Sequence, residues 1–250
     1  MTPISLKGLP LGAGIPKICV PITGTDVNQV IGQAGEIVSS SADLAEWRLD
    51  YFNGLEETAG LIATTNRLTE ILGDLPLIIT LRDRTQGGKR QISDSDYQQL
   101  YTAILRNTNV AAIDLEWQRD ATLLSQLIDL AHGQQVRTII SCHNYDQAPT
   151  EAEMVDQLTQ MALLGGNLLE LAITPTNAND VLGLMNAAHD ASQRVEQPII
   201  ATAMGPLGTV TRVAGQTFNS ALTFATIRSE TAPGQLSVDQ TRTILDVLAH

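Results

Sequence analysis

Eight short apolar runs rich in β-branched residues recur along the chain, roughly thirty residues apart, and each is followed by a segment with helical periodicity. The runs are Lys17–Ile22, Ala45–Asp50, Leu77–Arg82, Ala111–Glu116, Arg137–His143, Leu168–Thr174, Pro198–Ala203 and Leu222–Ile227. Two of them, Leu77–Leu81 and Ile199–Ala203, are almost continuously apolar, as expected of parallel strands covered on both faces by helices. A closed (β/α)8 TIM barrel and a doubly wound open sheet both satisfy this alternation. The barrel fits better, because eight evenly spaced units fill 250 residues and no GxGxxG turn follows the first run. Apolar stripes such as Val27, Val30, Ile31 and Ile37, or Leu123, Leu124, Leu127 and Leu130, mark the intervening helices. Helix starts are expected at Ser93, Thr150 and Ser237, whose side chains can cap the first turn. Residues 1–16 stand outside the repeat, contain Gly and Pro, and are expected to form a hairpin or cap over the bottom of the barrel.

Length and composition narrow the function. A chain of 250 residues that is 43% hydrophobic and 17% charged is expected to fold as one domain, 1–250. No apolar run approaches the ~18 residues of a membrane span, and the first eleven residues lack the features of a signal peptide, so a cytoplasmic location is expected. Cys19 and Cys142 fall in different strands and read as separate buried thiols. A net charge of -12 without clustered Lys or Arg speaks against nucleic-acid binding. The only lysines are Lys7, Lys17 and Lys89, so any lysine chemistry must use one of those.

Charged residues occur where buried strands should be apolar. Glu46, Arg48 and Asp50 share one face of their strand, with Trp47 and Leu49 on the other. Arg82, Asp114, Glu116, Ser141, His143 and Glu170 repeat the pattern on the next four runs. In a barrel such groups are costly unless paired or catalytic, and they collect at the C-terminal mouth, where enzymes of this fold keep their sites. Buried ion pairing would account for any one of them, but less readily for the whole set. His143 is the natural proton carrier near neutral pH; His132, His189 and His250 are expected on the outside. Arg212, after the Gly-rich turn 204–208, and Gln235, in Thr231-Ala-Pro-Gly-Gln235, complete a set suited to a small carboxylate with several hydroxyls.

The strings Ile18-Cys-Val-Pro-Ile22, Glu46-Trp-Arg-Leu-Asp50, Ile79-Thr-Leu-Arg82 with Gly87-Gly88, Ile113-Asp-Leu-Glu116, Ser141-Cys-His-Asn144, Arg212-Val-Ala-Gly215 and Ala232-Pro-Gly-Gln235 resemble, in order, the type I 3-dehydroquinate dehydratases. That resemblance implies a barrel, often a homodimer, that converts 3-dehydroquinate to 3-dehydroshikimate and water in the shikimate pathway without metal or organic cofactor. It assigns Glu46 and Arg48 to hydroxyl and ketone-side contacts, His143 to acid and base work, and Arg82, Arg212, Thr231 and Gln235 to substrate binding.

At the family's imine-forming lysine this chain has Glu170, in Gly165-Gly-Asn-Leu-Leu-Glu-Leu-Ala-Ile-Thr-Pro175. Gln86, Pro206 and Thr231 are further departures from the family pattern. A carboxylate cannot form an imine, so the covalent route is expected to be lost, unless Lys89 reaches the mouth from its loop. Three functions remain open: dehydration with His143 and Glu170 as an acid-base pair, non-catalytic binding of cyclic hydroxy acids, and a metal-dependent enzyme using Glu46, Glu116, His143 and Glu170. Arg48 and Arg82 speak against the third, since nearby cations disfavour a metal.

Overall fold

The computed structural model describes residues 1–228 and 232–249, so Thr231 and His250 lie outside the described residues. The chain opens with an antiparallel hairpin, β1 (Ile4–Leu6) and β2 (Leu9–Leu11). Then come β3 (Lys17–Ile22), α1 (Val27–Val38), β4 (Leu44–Arg48), α2 (Thr58–Leu72), β5 (Leu77–Thr80), α3 (Asp94–Asn107), β6 (Ala112–Glu116), α4 (Ala121–Gly133) and β7 (Arg137–Asn144). The second part holds α5 (Glu151–Leu163), β8 (Leu168–Ile173), α6 (Ala178–Ser192), β9 (Ile199–Ala203), a 3-10 segment Pro206–Arg212, α7 (Gly215–Phe218), β10 (Leu222–Phe224) and α8 (Val238–Leu248). Strands β3 to β10 form one parallel sheet in the order β10-β3-β4-β5-β6-β7-β8-β9. Its two ends meet through a bridge between Ile199 and Ser220 and a 2.7 Å hydrogen bond from Ala221 N–H to Ile199 O. The result is a nearly closed (β/α)8 barrel, as the repeat predicts. The expected caps are present: Ser93 Oγ accepts from Asp96 N–H, and Thr150 and Ser237 form capping boxes with Glu153 and Gln240.

Alternation along the strands sorts side chains into two cores. Trp47, Ile79, Ile113, Ile140, Leu169 and Leu171 point outward, into the main apolar cluster beneath the helices. Leu44, Ile78, Ala112, Ile139, Leu168, Ile200 and Leu222 point inward and fill the lower barrel with Cys19. Leu6 and Leu11 of the hairpin complete that layer, both fully buried, so residues 1–16 plug the bottom as expected. The hairpin turns through left-handed Lys7 (φ 48) and Gly8 (φ 89), a two-residue turn whose twist matches the strands. One inward step toward the mouth the barrel becomes polar, with Glu46, Thr80, Asp114, Ser141, Glu170 and Thr202 all buried.

Three strands end two or three residues earlier at the mouth than the apolar runs suggest. β5 stops at Thr80 because the next amides are taken by side chains from elsewhere: Leu81 N–H donates to Tyr101 Oη at 2.9 Å and Asp83 N–H to Glu116 Oε1 at 2.8 Å. β4 stops at Arg48, where Leu49–Tyr51 turns into a 3-10 segment that carries Asp50, and β10 stops at Phe224. Among the described residues no helix is long and apolar enough to cross a membrane.

Candidate active site

Arg82, just beyond β5 and only 3% exposed, organises the polar layer. Its Nη2 lies 3.1 Å from Asp114 Oδ1 and its Nη1 3.7 Å from Glu116 Oε1, and Nη1 donates to Ser141 Oγ at 2.7 Å. Ser141 passes its own hydroxyl hydrogen to Asp114 Oδ1 at 2.9 Å, so one guanidinium ties β5, β6 and β7 together. Glu116 also holds Arg119, whose Nη2 is 3.0 Å from Glu116 Oε2 and 3.3 Å from Asp83 Oδ2. Glu116 thus faces the loop after β5 rather than the open cavity. Burial pushes its carboxyl up, opposed by Arg82. Opposite, Arg48 forms a two-pronged pair with Asp50, at 2.8 and 2.9 Å, and Asp50 also accepts from Lys89 N–H at 3.0 Å.

Glu46 and Glu170 project inward from β4 and β8 with 6% and 4% exposure. Burial raises the Glu46 carboxyl above its ordinary value, with Arg48 opposing. Glu170 is pushed up to about 8, first by burial and then by the nearby Asp114, so its neutral acid form is favoured at pH 7. His143, at the end of β7, moves the other way: burial, then Arg82 and Arg48, hold its imidazole well below the usual value. Its Nε2 lies 3.7 Å from Glu170 Oε1. That distance is too long for a hydrogen bond, and with both groups neutral it is not an ion pair. A neutral base and a neutral acid therefore stand side by side, within one small shift of proton contact.

The remaining wall comes from the loops after β9 and β10. Arg212 is 2% exposed and donates to Phe224 O at 3.4 Å and Pro233 O at 3.1 Å. Gly205 N–H donates to Pro233 O at 2.9 Å, which joins the two loops beside buried Gln235. Together these groups enclose an open pocket of about 520 Å³ that Glu46, Arg48, Arg82, His143, Glu170, Arg212 and Gln235 all line.

The expectation for Thr231 falls outside the described residues; every expected site residue within the described part of the chain therefore reaches one cavity. The lysine alternative does not: Lys89 is exposed, its ammonium stands over the Tyr51 ring at 5.2 Å, and it does not line the pocket. Among the described residues no three His, Cys, Asp or Glu side chains are grouped as a metal ion requires. His132 and His189 are exposed on outer helices.

Among the lining residues not expected as site residues are Gln86, Tyr145, Met204 and Phe224. Gln86 Oε1 accepts from His143 N–H at 2.8 Å, and its Nε2 donates to Gln118 at 2.6 Å. Tyr145 and Met204 each lie one residue past a strand end, Asn144 of β7 and Ala203 of β9. Position just beyond a barrel strand was the available signal for both.

Comparison with known proteins agrees with this geometry. Residues 18–250 match the family model described as type I 3-dehydroquinase. The 3-dehydroquinate dehydratase of Lactiplantibacillus plantarum is 36% identical over 245 residues, covering 98% of this chain and 97% of the relative. That of Listeria monocytogenes serotype 4a is 34% identical over 248 residues, covering 99% and 98%. The crystal structure of the type I 3-dehydroquinate dehydratase from Clostridium difficile with covalent modified comenic acid superposes with a TM-score of 0.96 at 33% identity, covering 100% and 99%.

Proposed function

Because the chain belongs to the type I 3-dehydroquinase family, whose reaction is a step of the shikimate pathway, we propose that it dehydrates 3-dehydroquinate, or a close cyclic hydroxy acid, without forming an imine. The reading rests on one observation, the approach of His143 Nε2 to Glu170 Oε1 at 3.7 Å inside a pocket that keeps Arg82, Arg212 and Gln235. With a glutamate on β8, no nitrogen is available there to condense with the ketone. Neutral His143 takes the proton from the carbon next to the ketone, and the electron pair moves onto the ketone oxygen as an enolate. Protonated Glu170 donates a hydrogen bond to that oxygen, the role of an acid kept neutral at pH 7 by a buried site. The enolate then collapses, the carbon–oxygen bond to the β-hydroxyl breaks, and the imidazolium returns its proton to the departing hydroxide as water. His143 ends neutral and Glu170 still protonated, so both are ready for another turnover. Arg212 and Gln235 hold the carboxylate and hydroxyls, while Glu46 and Arg48 face the ring hydroxyls.

Incubating the protein with 3-dehydroquinate and following the conjugated ketone in the ultraviolet tests the reaction. Product above the uncatalysed rate, with no adduct trapped by borohydride, is the expected result, and no product at high protein concentration sinks it. Calorimetric heat from the same ligand without turnover would make the protein a binder of cyclic hydroxy acids instead. The family resemblance extends the proposal to a cytoplasmic homodimer of single-domain chains; sedimentation as a monomer at tens of micromolar counts against the dimer.

A further inference from the structure

His143 is fixed at its backbone, through Gln86, but among the described residues no hydrogen bond holds its ring. Nε2 has only the 3.7 Å approach to Glu170, and Nδ1 is buried without a partner among the described residues. The second side-chain torsion of histidine is broad, so rotamer preference alone leaves the ring plane loosely defined. A general base needs that plane set closely, because small misplacements of a reacting nitrogen are expensive in rate.

The aromatic ring stacked, with an offset, beside the imidazole is Tyr145. Its ring is nearly parallel to the imidazole, at an interplanar angle of 14° and a centroid separation of 6.2 Å, an offset stack. Tyr145 is 39% exposed while the His143 side chain is 12% exposed, so the phenol meets water where the imidazole beside it is largely buried. Tyr145 is set in turn by Gly87, in the loop after β5. Gly87 has a left-handed φ of 82, and a methyl group there would collide with the Tyr145 hydroxyl and ring edge. The backbone of one mouth loop has thus left room for the aromatic side chain of another.

We infer that Tyr145 is the positioning residue of this site: its ring, seated on Gly87, fixes the plane of the His143 imidazole and screens it from solvent. Its catalytic consequence rests on the proposed reaction, in which His143 is the base, but the placement itself does not. The groups that face the imidazole are Arg48 from β4, Arg82 and Gln86 from the region after β5, Glu170 from β8, and Tyr145 itself. Removing the tyrosine ring alters only the last of these, and it admits water to a ring whose burial keeps it neutral.

The test follows the His143 ring nitrogens by long-range nitrogen–proton NMR across a pH titration of the full chain, in wild type, Tyr145→Ala and Tyr145→Phe. In Tyr145→Ala the protonation midpoint is expected to rise by about one pH unit toward the ordinary histidine value, whereas Tyr145→Phe, which keeps the stack, is expected to titrate like wild type. An unchanged midpoint in Tyr145→Ala overturns the inference. So does a shift of equal size in Tyr145→Phe, which would assign the effect to the hydroxyl. A shifted midpoint in a protein that does not turn over 3-dehydroquinate would refute the proposed reaction and leave the positioning role standing.

Discussion

Glu170 sits in a buried layer that already carries Glu46 and Asp114 from alternate barrel strands, and a third negative charge there is opposed by repulsion as well as by lost hydration. Its carboxyl therefore holds a proton in the folded chain, up to about 8, that it releases near 4.5 when unfolded. Between those values the folded state binds the extra proton, so raising the pH through that window destabilises the fold, at up to about 1.4 kcal/mol per pH unit for a full proton. His143 acts in the opposite sense, since its depressed value makes stability fall as pH drops below the ordinary histidine range. Comparing wild type with Glu170→Gln isolates the first effect: urea midpoints should diverge in favour of the variant as pH rises through the window. Parallel pH profiles would show that Glu170 is ionised throughout. Glu170→Lys tests the proposed loss of the imine route directly. A lysine amine beside His143 should give a borohydride-stable adduct with 3-dehydroquinate that wild type does not give; its absence, seen by mass spectrometry, would mean that the rest of the pocket no longer presents the ketone to this position. At this scale the sequence was informative because charge in a buried strand is rare. His143 and Glu170 stood out on those grounds. Their opposite protonation tendencies did not, since these depend on which charges the fold gathers around each group.

The elements show the same division between local pattern and distant contact. Each barrel strand was legible from its apolar run, and β3 spans the same residues as its run, Lys17–Ile22. The mouth ends of β4, β5 and β10 were not, and at β5 hydrogen-bond partners far along the chain decide the end. Tyr101 and Tyr97 of α3 illustrate this: Tyr101 Oη accepts from Leu81 N–H and donates to Asp114 O at 2.6 Å, while Tyr97 Oη accepts from Glu116 N–H at 3.1 Å. Two tyrosines of one helix therefore finish the edges of β5 and β6. The opening hairpin behaves more simply. Leu6 and Leu11 exist to fill the barrel floor, and the polar layer separates them from the pocket. Leu11→Ala should cost about 3 kcal/mol in unfolding free energy while leaving ligand affinity within a factor of two. A loss near zero would mean that the hairpin is not packed into the barrel in solution, and a large fall in affinity would mean that floor and mouth are coupled.

At the scale of the molecule, closure makes the chain one unit. β3 pairs with β4 on one side and β10 on the other, so the first barrel strand is bound to the last. Thr2 N–H donates to Glu196 O at 2.6 Å, and Arg242 of α8 donates to Asp43 Oδ2 at 2.6 Å, so both ends of the chain are tied to distant segments. The eightfold repeat predicted this architecture, but the seam between β9 and β10 was not readable. It is closed by the Ile199–Ser220 bridge, with Ser220 Oγ accepting from Ala201 N–H at 3.1 Å, and Ser220 lies before the strand that its side chain helps to close. A chain cut after Val195 would lose β9, β10 and α8. It would leave β3 and β8 as open edges and expose the layer of Glu46, Asp114 and Glu170 to water on one side. Open edges and a half-covered polar interior remove the burial that offsets the entropy of ordering, so this fragment is expected to show no cooperative urea transition by circular dichroism. A cooperative transition in the fragment would show that the first six βα units fold by themselves, and the single-domain proposal would then give way to a barrel assembled from a stable part and a docked remainder.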